Sequence, residues 1–281
     1  MDSRKTDAAT EKRQRGRPRA WDSKTEQNTI KSLDRAMEVF EHLSEASGST
    51  LSEIASELDQ SPATVYRILI TLEGRNLVEF DHAEQLWHIG PRAFTIGSKY
   101  LRRSGLIERA RPILRRLMQE TGETANLGII RENSVLFLSQ VETHENIRAF
   151  FPPGTLSPPH ASGIGKALLA EMPEDRFARI VGSRNLEKFT ENTVSEINTL
   201  MSDLQATRGR GYAIDDEEKN AGMRCIAAAV FDASGEAVAG LSVSGPSSRM
   251  PLSEVDDIAQ SVMQAADRLT AALGGVKRQI I

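Results

Sequence analysis

Between Thr50 and Leu72 the sequence starts two helices in ways that leave little freedom for the turn between them. Thr50 and Glu53 form a T-x-x-E capping box, in which each residue satisfies an orphan N–H of the other's end of the turn. Ser61-Pro62 then places a good N-cap before a proline at the first helical position, where a missing N–H costs nothing. Leu51, Ile54, Ala55 and Leu58 follow the first signal at helical spacing, and Val65, Ile68, Leu69 and Leu72 follow the second. Upstream, Ile30, Leu33, Met37, Phe40 and Leu43 predict an earlier helix that Gly48 ends. Three helices, the last two joined by a tight turn, predict a helix-turn-helix.

Downstream, Val78-Glu79-Phe80 and Leu86-Trp87-His88-Ile89 flank a polar turn at Asp81–Gln85, which predicts a hairpin, or wing. The second helix of a helix-turn-helix presents its N-terminal residues to base edges in the major groove. Here that helix offers Ser61, Ala63, Thr64, Tyr66, Arg67 and Thr71 away from its apolar stripe. Ala63 permits close approach, Thr64 and Tyr66 suit phosphates, and Arg67 suits a base or a phosphate. Double-stranded DNA is the implied partner; a three-helix scaffold without a DNA role is the bland alternative.

Charge placement supports the DNA reading although the net charge is −4. Residues 1–24 carry eight Lys/Arg against four Asp/Glu, residues 91–120 carry eight against two, and the chain from 121 onward carries 15 against 21. Local basic patches, not overall charge, displace counterions from DNA. Residues 1–28 lack hydrophobic periodicity and are expected to be a disordered basic arm. Its Arg15-Gly16-Arg17-Pro18 resembles an AT-hook, so Arg15 and Arg17 suit a narrow minor groove or simple phosphate contact. No stretch approaches a bilayer-spanning length, no apolar leader is present, and Cys225 is the sole cysteine. A soluble, cytoplasmic protein is expected.

The domains expected are the arm at 1–28, a winged helix-turn-helix at 29–90, a linker helix at 91–120 and an α+β domain at 121–281. In the linker, Phe94, Gly97 and Leu101 share one face and Ile107, Ala110, Leu114 and Leu117 another, and both stripes suit dimer contacts. Beyond it the period shortens to that of strands, at Ala125–Arg131, Val135–Val141, Ile147–Phe151, Tyr212–Asp215, Cys225–Phe231 and Ala237–Ser244. Helices are expected at about 163–172, 174–181, 193–209 and 253–273. An antiparallel sheet with helices on one side gives a GAF/PAS-like, effector-binding fold.

Three features of that domain converge on a small-molecule site. Gly163 and Ile164 open a helix, whose free N–H groups suit an anion. Alternation along the last strand puts Gly240, Ser242 and Ser244 on one face and Ala239, Leu241 and Val243 on the other. Asp215 ends one strand and Cys225 opens the next. Enzyme and cofactor patterns fail residue by residue. Gly163-x-Gly165 meets Leu168 where a dinucleotide loop needs glycine, and Gly165-Lys166 meets Ala167 where a P-loop needs Ser or Thr. Ala161-x-Gly163 around Ser162 is no nucleophile elbow, His160 and Cys225 lack a thiol-enzyme spacing, and no Cys/His cluster suggests a metal. No catalytic residue, cofactor or metal ligand is therefore expected.

Together these motifs resemble the IclR-type regulators over about residues 28–275. The markers are Leu51–Ala55, Ser61–Leu69, His160-Ala161-Ser162-Gly163-x-Gly165-Lys166-Ala167-Leu168-Leu169, and Gly211-Tyr212 followed by Asp215 and Glu217-Glu218. Cys225-Ile226-Ala227 and Ser242–Arg249 are similar to the effector stretches of that family's glyoxylate-responsive allantoin-pathway repressors. The resemblance implies a homodimer or dimer of dimers on a pseudo-palindromic operator, and a cup for glyoxylate or a similar small 2-oxo acid. It implies side-chain contacts from Asp215, Cys225, Ser242 and Ser244, a wall from Met223, and amides near Gly163 and Ile164 for the carboxylate. Two alternatives remain: another effector such as an aromatic carboxylate, which a chain only 5% aromatic argues against, and an enzyme with an accessory DNA-binding domain.

Overall fold

The computed structural model describes residues 29–102, 105–182 and 186–277, so Arg15, Arg17 and the arm lie outside the described residues. Two compact units part between Gly97 and Ser98. Among the described residues no helix is long and apolar enough to cross a membrane.

The first unit holds α1 (Lys31–Glu45), α2 (Leu51–Glu57), α3 (Pro62–Glu73) and the hairpin β1 (Val78–Asp81) and β2 (Leu86–Ile89). Both start signals act as read. Thr50 Oγ1 accepts from the Glu53 amide while the Glu53 carboxylate accepts from the Thr50 amide, and Ser61 Oγ accepts from the Thr64 amide. Val39, Leu43, Ile54, Ala55, Val65, Leu69, Val78 and Trp87 form the core. The α1 stripe is corrected: Ile30, Leu33 and Met37 are exposed by 66%, 57% and 42%. Only the C-terminal half of α1, through Val39 and Leu43, reaches the core, and its first two turns run beyond it.

The expected linker is two helices. The first, α4 (Pro91–Arg102), spans the division between the units, and the second, α5 (Leu106–Thr121), belongs wholly to the second unit. The stripe of Ile107, Ala110, Leu114 and Leu117 is buried in that unit's core, which corrects its reading as a dimer surface. Phe94 on α4 is 79% exposed.

The second unit is an antiparallel sheet in the order β5-β4-β3-β8-β7-β6. Its strands are β3 (Thr124–Arg131), β4 (Ser134–Val141), β5 (Leu156–Ser157), β6 (Ala213–Asp216), β7 (Met223–Phe231) and β8 (Ala237–Pro246). Helices cover both faces, not one. With α5, α9 (Val255–Ala272) buries Leu127, Ile226, Leu241 and Val243. On the opposite face α6 (Gly163–Ala170), α7 (Glu174–Val181) and α8 (Ile197–Arg210) pack on Ile130, Val135, Phe137 and Ala227. Each face of the sheet carries its own apolar set, so each needs its own cover.

The strand expected at Ile147–Phe151 is absent, and β5 pairs with β4 in its place, Ser157 opposite Val135. Pro152-Pro153 follow directly and lack the N–H groups a ladder needs. Ile147 and Phe150 are correspondingly exposed. The start of α8 is later than expected because Thr193 Oγ1 accepts from the amides of Phe189 and Thr190 and closes a turn first.

Candidate functional site

Two surfaces carry the sequence-predicted residues. On α3, Ala63, Tyr66, Arg67 and Thr71 are exposed side by side. The Ser61 and Thr64 hydroxyls lie 2.8 Å apart and serve the helix cap, and Thr71 Oγ1 donates to the Arg67 carbonyl at 2.7 Å. A groove beside α3 is also lined by Arg35 of α1, a second cation that the sequence reading passed over. On the wing, Asp81, Glu84 and His88 each bring one ligand-type atom within 4.8 Å of the others, a grouping invisible in linear spacing. One oxygen of the Asp81 carboxylate, Oδ1, accepts from the amides of Ala83 and Glu84.

The cup in the second unit follows from strand register. Asp215 of β6 lies opposite Cys225 of β7, and Cys225 lies opposite Ser244 of β8. Directly opposed residues share a face, so the three side chains form one row beneath α6. Gly163 and Ile164 close the cup from the α6 N-terminus, and Met223 borders it. The sequence reading missed Phe137, Phe151, Ser157, Lys219, Asn220 and Arg224, which also line it. Phe137 and Phe151 stack with ring centroids 4.9 Å apart, so an aromatic wall exists despite the low aromatic content. What the cup lacks is room: about 20 Å³ is open to the centres of water-sized spheres.

Ser242 does not line the cavity; it is buried behind it. Its hydroxyl and that of Ser244 accept from Asn126 Nδ2 at 3.3 and 3.2 Å, while Asn126 Oδ1 accepts from Gln140 at 2.9 Å. Because Asn126 donates, both hydroxyls are left as donors toward Cys225. Burial pushes the Cys225 thiol up to about 11, with Asp215 adding to the rise, against these donors and the Gly163 amide. The thiol is thus protonated near neutrality and is a poor nucleophile.

Two glycines make the α6 terminus possible. A Cβ on Gly163 would lie 2.8 Å from Cys225 Sγ, and one on Gly165 would lie 2.2 Å from the Pro159 carbonyl oxygen. Ser162 caps the helix, its Oγ accepting from Gly165 N at 3.4 Å and its carbonyl from Lys166 N at 2.8 Å. His160 is structural, its Nε2 lying 3.0 Å from the Glu187 carbonyl.

Charge is concentrated behind the cup. Lys166 is 1% exposed and pairs with Glu218 and with Asp203 at 2.9 Å. Burial pulls its pKa down, but the two carboxylates outweigh burial and hold it above the usual lysine range. Glu218 is pushed up to about 7 by burial, against the pull of Lys166, and its Oε2 has no hydrogen-bond partner. The Glu218 amide donates to Asp215 Oδ1 at 2.9 Å. Burial raises Asp215 to about 6, opposed by that amide and by Lys166. Asp215 is therefore mostly ionised at neutral pH, at a cost to stability.

The comparisons with known proteins agree with this layout. The IclR helix-turn-helix domain matches residues 32–82, and the bacterial transcriptional regulator IclR C-terminal domain matches residues 98–271. The HTH-type transcriptional regulator BhcR of Paracoccus denitrificans is 52% identical over 92% of this chain and 94% of its own length. The HTH-type transcriptional repressor AllR of Klebsiella pneumoniae is 36% identical, covering 94% of this chain and 97% of its own. Among solved structures, IclR of Thermotoga maritima superposes with a TM-score of 0.73 at 26% identity, covering 88% of this chain and all of its own. An IclR homolog from Microbacterium hydrocarbonoxydans, complexed with 4-hydroxybenzoate, gives 0.75 at 25% identity over 86% of this chain and 98% of its own. With a reading unit whose helices start where the sequence says and a sensor unit built around a polar cup, this chain belongs to the IclR family of ligand-responsive, DNA-binding transcription regulators.

Proposed function

We propose that the chain is a regulator, not an enzyme, whose effector is glyoxylate or a similarly small 2-oxo acid held in the cup under α6. The observation that carries this is a small cavity in which Asp215, Cys225 and Ser244 stand in one row beneath the N-terminus of α6. The α6 amides donate to the carboxylate. Ionised Asp215 accepts from the hydroxyls of the hydrated aldehyde, and Ser244 donates. Cys225 contributes small size and weak polarity, Met223 a wall, and Ser242 holds Asn126 in place behind. The relative complexed with 4-hydroxybenzoate raises an aromatic acid as the second reading, and Phe137 and Phe151 would suit its ring. The space available opposes it.

Operator DNA is read by α3 through Ala63, Thr64, Tyr66, Arg67 and Thr71, with Ser61 fixing the helix start. The arm, 1–28, adds Arg15 and Arg17, and the chain acts as a homodimer or dimer of dimers. Residues 29–90 read DNA, 91–120 connect and 121–281 sense.

Calorimetry against a panel of 2-oxo acids and aromatic acids tests the effector. Glyoxylate should bind, and Asp215→Ala and Ser244→Ala should each weaken it by about 1–3 kcal/mol, the cost of a lost hydrogen bond to a buried polar group. Cys225→Ser should keep most of the affinity. The reverse pattern, with Cys225→Ser inactive and Asp215→Ala unaffected, would replace the hydrogen-bonded cup with a covalent thiohemiacetal. Turnover of glyoxylate would restore the enzyme alternative.

A further inference from the structure

The lining of the cup contains one carboxylate, Asp215, that by itself repels the kind of ligand proposed. A nearby cation that offsets that repulsion favours the entry of an anion. Most cations near the cup are committed. Lys166 is held by Glu218 and Asp203, and Arg224 is held by Asp216 and by the carbonyls of Ser247 and Met250.

Lys219 differs. It follows β6, lines the cup and is half-buried. Its Nζ donates to Ser157 Oγ at 3.1 Å and sits 5.8 Å from the centroid of the Phe189 ring. Among the described residues no carboxylate lies within ion-pairing distance of it. Ser157 is itself buried and lines the same cavity, so the tether keeps the ammonium at the wall. A lysine has three donors, and a hydroxyl and a ring face leave at least one for an incoming ligand. Burial holds Lys219 below the usual lysine range despite Asp215 and Glu187, the mark of a charge not fully compensated.

We infer that Lys219 is the charged contact for the effector's carboxylate and makes the cup select a small monocarboxylate over its neutral analogues. The inference rests on the small-acid reading above. The α6 amides supply dipoles; Lys219 supplies the formal charge that balances Asp215 when an anion enters. Ser157 and Phe189 position it, and Asp215 is left to recognise the other end of the ligand.

The test is calorimetry on the full-length protein with glyoxylate and with glycolaldehyde, a two-carbon analogue without a carboxylate. Wild type should bind glyoxylate and discriminate against glycolaldehyde. Lys219→Met keeps the apolar stem against Phe189 and should lose about tenfold or more in glyoxylate affinity, as should Lys219→Gln, while Lys219→Arg should recover most of it. Operator binding without ligand and the melting temperature show that each variant is folded. Unchanged glyoxylate affinity in folded Lys219→Met overturns the role of Lys219 and leaves the glyoxylate reading standing. Should wild type bind a different small monocarboxylate, with Lys219→Met losing it, the role stands and glyoxylate falls. Equal affinity for glyoxylate and glycolaldehyde in wild type also overturns the inference.

Discussion

Asp215 shows what the cup costs the fold. Its carboxyl titrates near 6 in the folded chain, above the ordinary 3.8, because burial outweighs the Glu218 amide and Lys166. A raised acid favours the folded state only while protonated, so that stability is present below about pH 4 and lost as pH climbs through 6. The shift corresponds to roughly 3 kcal/mol as an upper figure, at 1.36 kcal/mol per unit. Asp215→Asn mimics the protonated form without titrating. It should melt several degrees above wild type at pH 7.5 and level with it near pH 4, as followed by calorimetric melting. A difference that does not vary with pH would remove burial of the charge as the cause. Among single residues, Asp215, Cys225 and Ser244 were legible because each ends a strand or alternates along one. Lys219 and Asn126 were not. Lys219 comes into place through a loop whose path linear spacing does not reveal, and Asn126 matters only once β3 lies beside β8, far along the chain.

At the scale of elements, helix starts were the most legible feature. Capping is local chemistry, and both Thr50 with Glu53 and Ser61 with Pro62 act within one turn. The same locality places Arg67 on the open face of α3, nearly two turns in from the Ser61 cap. Arg67→Ala should weaken operator binding by about 1–3 kcal/mol if it contacts a base, and leave effector affinity unchanged. A gel-shift titration indistinguishable from wild type would displace α3 as the reading helix. Elements defined by long-range partners were harder. The stretch at Ile147–Phe151 has strand composition, yet the edge of the sheet is taken by Leu156–Ser157. The stripe on α5 was seen, but a periodic apolar face reads alike whether it meets the same chain or another copy. Here it meets α9 and the sheet.

For the whole molecule, charge is distributed in opposition to its sum. The chain is net −4, yet eight of its cations lie in the first 24 residues. Deleting residues 1–24 should reduce operator affinity and flatten its salt dependence, since each lost phosphate contact lowers the log–log slope by about 0.9. Equal slopes for the full-length and shortened chains would show that the arm does not touch DNA. The change of hydrophobic period beyond residue 120 marks a second kind of packing, but the two compact units part earlier, between Gly97 and Ser98, because α5 packs with the sheet; the double helical cover of the sheet was not legible, because alternation marks faces without saying what covers them. The tightness of the cup has a further meaning in a cell. Longer 2-oxo acids carry the same two functional groups as the shortest and differ chiefly in bulk. A receptor that distinguished them by hydrogen bonds alone would answer to the whole class. One with a small cavity filters by volume, so each added methyl group must push aside packed side chains such as Ile164 and Phe137. If the proposed small acid is the effector, such a filter would keep the regulator silent amid chemically similar but bulkier metabolites, so that its switching would report one small molecule above a crowded background.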